Sequence, residues 1–191
     1  MIRAASILRR QALNAIVEAP SRPLTNLEKG LELELATIQV FSQLGFHLRH
    51  VGGANDKGVD LRGTWNIQPP PSQPPHVNVI IQCKNEASSI GPKSIREFEG
   101  TLSKETGLTL GLFVSSRGLT KKSMQAIHAS TLPIGFATLI LNNSSSQTLL
   151  KELQFNHAAQ RKVMPSNIVL APRYIQASDG SWTRQVVIVA V

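Results

Sequence analysis

The run from Val77 to Cys83 constrains the fold most, because it is rich in β-branched residues and bounded by turn signals on both sides. Such a run suits a buried central strand. Two further apolar runs follow it, Thr109 to Val114 and Phe136 to Leu141, with helical patterns between the runs. Strands that alternate with helices pair in parallel, because each helix carries the chain back across the sheet. The sequence therefore predicts an α/β fold with parallel pairing in its second half.

The whole core is predicted in the order α-β-β-β-α-β-α-β. Thr25 and Glu28 have the form of a capping box that begins the first helix, and Gly45 is placed to end it. Pro92 suits the first position of the second helix, where its missing N–H costs nothing, and Thr120 caps the third. The first two strands are predicted at 46–51 and 59–65.

The segments outside the helices and strands of this core differ in composition. Residues 1–24 carry four arginines against one acid, which is typical of a mitochondrial transit segment. The core is expected to span 25–142, with a proline-rich surface loop at 66–76 that lengthens a hairpin. Residues 143–191 are expected to pack on the core as an extension. This extension is predicted to contain a helix over 148–162, a strand near 168–171 and a hairpin turn at Asp179-Gly180.

The overall composition limits which binding partners, metal sites and membrane segments can be expected. A formal net charge of +8 favours a polyanion, with nucleic acid first and an anionic membrane surface second. Cys83 is the single cysteine, which excludes an intrachain disulfide and a cysteine-based zinc site. No apolar run approaches the roughly 18 residues that a membrane span requires, so no spanning segment is predicted.

Polar residues at the ends of two predicted strands form a candidate metal site. Asp60 and Gln82 come together at one edge of the sheet if their strands are neighbours, and the backbone carbonyl of Cys83 offers a third oxygen. Magnesium prefers hard oxygen ligands and takes only one or two protein carboxylates. Lys84 lies two residues from Gln82 and so points to the same face. There it can hold an attacking water and stabilise charge on a phosphate.

Four short motifs in order carry a resemblance to a known family. They are G-x-x-x-E at Gly30–Glu34, L-G-F at Leu44–Phe46, D-K-G-V-D at Asp56–Asp60 and Q-C-K at Gln82–Lys84. Together they resemble the Mrr-type branch of the restriction-endonuclease-like, or PD-(D/E)xK, superfamily. The stretch Val114–Ser123 is also similar to the strand, loop and helix of that branch. With its transit-like beginning, the chain further resembles the fungal mitochondrial family named "required for respiratory growth".

The resemblance implies a three-layer nuclease core and a role for each matching residue. Asp60 matches the metal ligand, Gln82 the middle ligand and Lys84 the catalytic lysine. Glu34 matches a helix-1 glutamate that assists the metal, which in this superfamily is Mg²⁺ or Mn²⁺. Gln82 departs from the usual acid, since an amide keeps an oxygen ligand but removes a negative charge. Glu34 is the residue able to restore that charge.

The predicted function is metal-dependent hydrolysis of DNA phosphodiesters in the mitochondrial matrix, supporting genome maintenance and respiratory growth. The expected nucleic-acid contacts are Lys57 and the group Ser115, Ser116, Arg117, Lys121 and Lys122, which follows a strand and opens a helix. Two alternatives stay open. One is a catalytically inactive binding or assembly module on the same fold, and the other is a junction resolvase, for which a homodimer is a possible assembly. The five histidines are interpreted as structural or surface residues.

Overall fold

A six-stranded mixed sheet forms the centre of the protein. The computed structural model describes residues 23–51, 58–66, 76–141, 148–164, 168–176, 179–180 and 182–190. The strands are β1 (Phe46–His50), β2 (Leu61–Trp65), β3 (Val77–Lys84), β4 (Thr109–Ser115), β5 (Ile134–Ile140) and β6 (Leu149–Phe155). They lie in sequence order, with β3, β4 and β5 parallel and the other neighbouring pairs antiparallel. The predicted element order and the parallel pairing are confirmed.

Helix α1 (Asn26–Ser42) covers one face of the sheet. The capping box is present, with the Thr25 N–H donating to the Glu28 carboxylate at 2.8 Å and the Glu28 N–H donating to the Thr25 hydroxyl at 3.3 Å. Leu33, Val40 and other residues of its inner face are buried against the apolar side chains of the sheet. The first layer of the predicted three-layer core is therefore formed by α1.

Helices α2 (Pro92–Leu102) and α3 (Lys121–Ala129) cover the opposite face. Proline begins α2 as predicted, and the apolar face of that helix packs on β3 and β4. Thr120 caps α3 by accepting a hydrogen bond from the Ser123 N–H at 3.3 Å. Two helical layers thus enclose the sheet, and the three-layer nuclease-like fold is confirmed.

Three stacked aromatic side chains lie where β1 begins and where β2 and β6 end. Trp65 is 1% exposed, with its ring centroid 4.5 Å from that of Phe46 and 5.6 Å from that of Phe155. Its indole N–H donates to the Leu44 carbonyl at 2.9 Å. Trp65 is therefore a core residue, whereas Trp182 is 65% exposed.

The structure corrects the prediction for 148–162. Residues 149–155 form β6, and only His157–Lys162 form a helix, α4. Leu150 and Leu153 are three residues apart, a helical spacing, yet both are buried. Thr138 pairs with Glu152 and Leu139 with Leu150, so the register shifts by one residue at this point. That bulge allows both leucines to face the core from a strand.

The last two strands, β7 (Ile168–Gln176) and β8 (Trp182–Ala190), form an antiparallel hairpin. Gly180 lies in the turn with φ of +83°, which agrees with the predicted turn at Asp179-Gly180. Val186 of β8 is buried in the same cluster as α1, and β8 contacts β6. Across the described residues, no helix is both long and apolar enough to cross a membrane. Residues 1–22 of the predicted transit segment and residues 67–75 of the proline-rich insert lie outside the described residues.

Candidate active site

Asp60 is held by the backbone where β2 approaches β3. Its N–H donates to the Ile81 carbonyl at 2.9 Å, and its carbonyl accepts from the Val51 N–H at 2.8 Å. Because Leu61 pairs with Ile81 in an antiparallel register, Asp60 falls opposite Gln82. The Cys83 N–H donates to Asp60 Oδ2 at 2.6 Å. The carboxylate is therefore fixed just before β2 and beside the end of β3, at the place where the sequence predicts a metal ligand.

Gln82 presents a buried amide oxygen beside this carboxylate. Among the described residues, Gln82 Oε1 has no hydrogen-bond partner. Leaving a buried acceptor unsatisfied costs about 1–3 kcal/mol, so such an atom in a native structure calls for an explanation. A bound cation or its water shell supplies one. The oxygen is consistent with the predicted role of Gln82 as a metal ligand.

Gly58 makes space for the Gln82 amide. Its φ is +76°, and a Cβ at this position would lie 2.9 Å from Gln82 Nε2. A side chain at position 58 would therefore be strained in its backbone and would press on the amide. This close approach explains why glycine stands two residues before Asp60 in the D-K-G-V-D motif.

Lys84 follows on the same face of β3 as Gln82, as strand alternation requires. Its side chain is 36% exposed, and its Nζ lies 3.9 Å from the Glu86 carboxylate. An exposed ion pair of this length contributes little energy, so Lys84 is only weakly held by Glu86. The ammonium group stays available to a phosphate that approaches this edge.

Glu34 on α1 pairs with His50, the last residue of β1. The Glu34 carboxylate contacts His50 Nε2, and the two side chains are 14% and 18% exposed. Sequence reasoning did not predict this contact between His50 and Glu34. The signal was available, because Phe46, Leu48 and His50 alternate inward along β1 while His47 points to solvent.

The charges of both carboxylates reach the Cys83 thiol. Burial raises the pKa of this thiol well above its usual value; a hydrogen bond with Thr37 opposes the rise, and the charges of Asp60 and Glu34 add to it. The thiol lies 3.7 Å from the Thr37 hydroxyl and packs on the α1 side of the core. The side chain of Cys83 is thus a core residue, as predicted. Its backbone carbonyl remains the predicted third metal ligand.

The donor set at this edge suits a hard divalent cation. Asp60 lies opposite Gln82 and offers a carboxylate beside the buried amide oxygen. Glu34 lies on α1, and its charge reaches the same Cys83 thiol as the charge of Asp60. No group of three or more His, Cys, Asp or Glu side chains able to hold a metal occurs within the described ranges. Mg²⁺ usually keeps several waters and binds through one or two carboxylates, so this oxygen set fits it. Mn²⁺ accepts the same type of ligand.

Comparison with known proteins identifies the family. The family model Mrr_cat, described as restriction endonuclease, matches residues 27–138. This chain belongs to the Mrr-type restriction endonuclease family. The match includes Glu34, Asp60, Gln82 and Lys84 and ends before β6, so the whole candidate metal site lies inside the family domain.

Two fungal proteins are similar to this Mrr-type chain. An uncharacterized mitochondrial protein of Schizosaccharomyces pombe is 31% identical over 143 residues, covering 75% of this chain and 56% of its own length. Required for respiratory growth protein 7, mitochondrial, of Candida glabrata is 30% identical over 140 residues, covering 54% of this chain and 49% of its own length. The chain therefore spans about half the length of these curated relatives.

One solved structure is less similar to this chain than the two fungal proteins are. The MspJI restriction endonuclease in complex with a 27-mer oligonucleotide shares 16% identity at a TM-score of 0.41, covering 69% of this chain and 28% of that one. At these values the likeness adds nothing to the family match.

The β4–α3 loop of this Mrr-type domain holds the other predicted contacts. Ser115 is 1% exposed; its hydroxyl accepts from the Arg117 N–H at 3.1 Å and donates to the Gly118 carbonyl at 3.3 Å. Ser115 therefore shapes the loop, a different role from the direct phosphate contact predicted. Arg117, Lys121 and Lys122 are exposed. Lys57 lies outside the described residues.

Ser116 is tied to the end of β3. Its hydroxyl donates to Asn85 Oδ1 at 2.6 Å, and Asn85 Nδ2 donates to the Lys29 carbonyl of α1 at 2.7 Å. The Ser116 N–H also approaches the Lys84 carbonyl at 3.4 Å. Asn85 thus connects α1, β3 and the loop, which fixes the loop relative to Lys84. No local sequence pattern signals this connection, because the three segments are distant along the chain.

Proposed function

We propose that this protein is a Mg²⁺- or Mn²⁺-dependent nuclease that hydrolyses phosphodiester bonds of DNA. Its membership of the Mrr-type restriction endonuclease family supports a nuclease. The net charge of +8 supports a polyanionic substrate. The observation that carries the proposal is the buried Gln82 Oε1, which has no partner among the described residues and stands opposite the fixed Asp60 carboxylate.

Each residue of the site has a separate role in this reaction. Asp60, Gln82 and the Cys83 carbonyl hold the cation, and Glu34 assists it directly or through water. When bound, the cation supplies Lewis acidity and a water that is easier to deprotonate. Lys84 would orient the attacking water and place a positive charge beside the phosphate, where negative charge develops in the transition state.

The DNA backbone is bound by the exposed cations of the β4–α3 loop. Arg117 lies in the loop, and Lys121 and Lys122 open α3, whose N-terminus adds favourable partial charge for a phosphate. Ser116 supplies a hydroxyl at the same place, and Lys57, three residues before Asp60 in the sequence, is a further expected contact. Asn85 keeps this loop beside Lys84, so that a bound phosphate lies next to the cation site.

We place the protein in the mitochondrial matrix, where it would support maintenance of the genome and respiratory growth. The support is the arginine-rich composition of residues 1–24 and the fact that both fungal relatives are named as mitochondrial proteins. A homodimer would let two copies of the site cut both strands of a duplex.

The test is a cleavage assay with the purified full chain. Supercoiled and linear DNA are incubated with Mg²⁺, Mn²⁺ or a chelator, beside Asp60→Ala and Lys84→Ala. Cutting that needs a cation and both residues supports the nuclease. Cutting that survives either substitution contradicts the assigned roles.

A second function is a nucleic-acid-binding or assembly module without turnover. The observation in its favour is Gln82 itself, because an amide at the middle position leaves this site with fewer charges to hold a cation. Such a module would bind DNA with strong salt dependence and would not cut it with either cation. Binding and cleavage measured on the same samples therefore separate the two functions.

A further inference from the structure

The Glu34–His50 pair links α1 to β1 through two polar side chains. Both side chains are largely buried, and the Glu34 carboxylate contacts His50 Nε2. His50 ends β1 beside Val51, whose N–H bonds the Asp60 carbonyl. The pair therefore lies directly next to the backbone that holds the first metal ligand.

We propose that His50 is a positioning residue that fixes the Glu34 carboxylate for the cation. This inference rests on the proposed metal-dependent function and names a residue that supports it. Because Gln82 contributes no charge, the site depends on Glu34 for its second negative charge. A glutamate on a helix has three rotatable bonds, and an ion-pair contact at one carboxylate oxygen restricts them.

The geometry of the carboxylate allows this role. His50 Nε2 contacts Oε2, and because a carboxylate is a rigid planar group, a contact at one oxygen restrains the orientation of the whole group. Hydrogen-bonded partners of this kind orient metal-binding side chains, and their loss typically lowers metal affinity about 10- to 100-fold. Asp60 is oriented by a backbone N–H, and His50 performs the equivalent task for Glu34.

Two observations favour this role over a simple tie between helix and sheet. The charges of Glu34 and Asp60 both act on the Cys83 thiol, so the two carboxylates share the surroundings of one side chain. The helix is also already anchored by its buried apolar face, including Leu33 and Val40. A polar pair is not needed to dock a helix with such a face.

The experiment measures Mn²⁺ binding to the DNA-free full chain, by the decrease of the electron paramagnetic resonance signal of free Mn²⁺. The variants are His50→Ala, Glu34→Gln, the double variant, and His50→Gln, which keeps an N–H donor. The matched control is His47→Ala, on the same strand but exposed. Thermal unfolding of every variant is recorded without metal.

The expected result is a Mn²⁺ affinity about 10- to 100-fold lower for His50→Ala. His50→Gln should recover part of the loss, and His47→Ala should match the wild type. The double variant should bind no more weakly than Glu34→Gln, because His50 acts through Glu34.

Three outcomes would overturn the inference. Lower thermal stability of His50→Ala with unchanged Mn²⁺ affinity would make the pair a structural tie. Losses that add fully in the double variant would show that His50 acts independently of Glu34. A wild-type protein that binds no Mn²⁺ and cuts no DNA would remove the proposed function together with this inference, whereas the first two outcomes leave that function intact.

Discussion

The two sides of the candidate site are built in different ways. On the metal side, the Asp60 carboxylate is fixed by a backbone N–H, and the amide oxygen of Gln82 is shielded from solvent. On the phosphate side, Arg117, Lys121 and Lys122 are exposed cations on a loop and a helix start. Hydrolysis of a phosphodiester requires the reacting groups in defined positions, whereas electrostatic attraction of a polyanion tolerates movement of the side chains that attract it. Substitutions on the metal side should therefore affect cutting, and those on the phosphate side should affect binding.

Asp60→Asn should produce the largest effect. The amide oxygen still accepts the Cys83 N–H, so the fold is kept while the charge that holds the cation is removed. We expect cleavage to fall by about 100- to 1,000-fold, the range typical for losing one group that stabilises transition-state charge. The measurement is the single-turnover cleavage rate, with exposed Glu97→Gln as the control. A rate within a few-fold of wild type would remove Asp60 from the metal side.

Gln82 allows the metal side to be altered in two directions. Gln82→Leu removes the buried oxygen and should weaken Mg²⁺ binding, whereas Gln82→Glu adds a charge and should strengthen it by on the order of tenfold. The measurement is the Mg²⁺ concentration at half-maximal cleavage for each variant. If the two variants shift this concentration in the same direction, Gln82 is not a metal ligand.

Lys121→Ala and Lys122→Ala should weaken DNA binding without affecting the cleavage rate at saturating protein. Removal of one cation that binds a phosphate should reduce the slope of log affinity against log salt by about 0.9. Fluorescence anisotropy over a range of salt concentrations measures this slope, with exposed Lys151→Ala on β6 as the control. Equal slopes in all variants would place the DNA elsewhere.

Ser115→Ala should have a smaller effect, on stability. It removes the hydroxyl that accepts from the Arg117 N–H and donates to the Gly118 carbonyl. Urea unfolding should show a decrease of about 1 kcal/mol in the free energy of unfolding. A large decrease in DNA affinity with unchanged stability would instead restore a direct phosphate contact for Ser115.

The last prediction needs no substitution. It uses the reaction rate of the Cys83 thiol in the wild-type protein as a probe of the metal side. The thiolate is the reactive form, and a raised pKa lowers the thiolate fraction at any given pH. Folded protein at about pH 8, near the ordinary pKa of a thiol, should therefore react with iodoacetamide much more slowly than protein in urea, and the rate should rise as the pH is raised. Equal rates in both states would contradict the burial of this thiol beside Thr37.

The helices and strands of the family domain could be predicted from the sequence, because the local signals that begin and end them agree with the fold. Capping by Thr25 and Thr120, the proline at the start of α2 and the β-branched run of β3 act over a few residues. The edge that joins Asp60 and Gln82 followed from strand order and the rule of alternation.

The features that sequence reasoning missed depend on distant contacts. Residues 149–155 have helical leucine spacing, and only the bulge opposite β5 makes a strand of them. The pairing of His50 with Glu34 needs α1 to pack against β1, and the burial of Ser115 follows from how the β4–α3 loop folds back. No short stretch of sequence contains both partners of these contacts.

The measurement that tests the central claim most directly compares Lys84→Ala with Lys93→Ala, since Lys93 is a lysine that is 85% exposed on α2. DNA binding and Mg²⁺-dependent cleavage are measured on the same samples of each variant and of wild type. The predicted result is that all three proteins bind DNA with similar affinity, while only Lys84→Ala fails to cut. Cleavage by Lys84→Ala at the wild-type rate, or no cleavage by the wild type itself, would contradict a nuclease site at the end of β3.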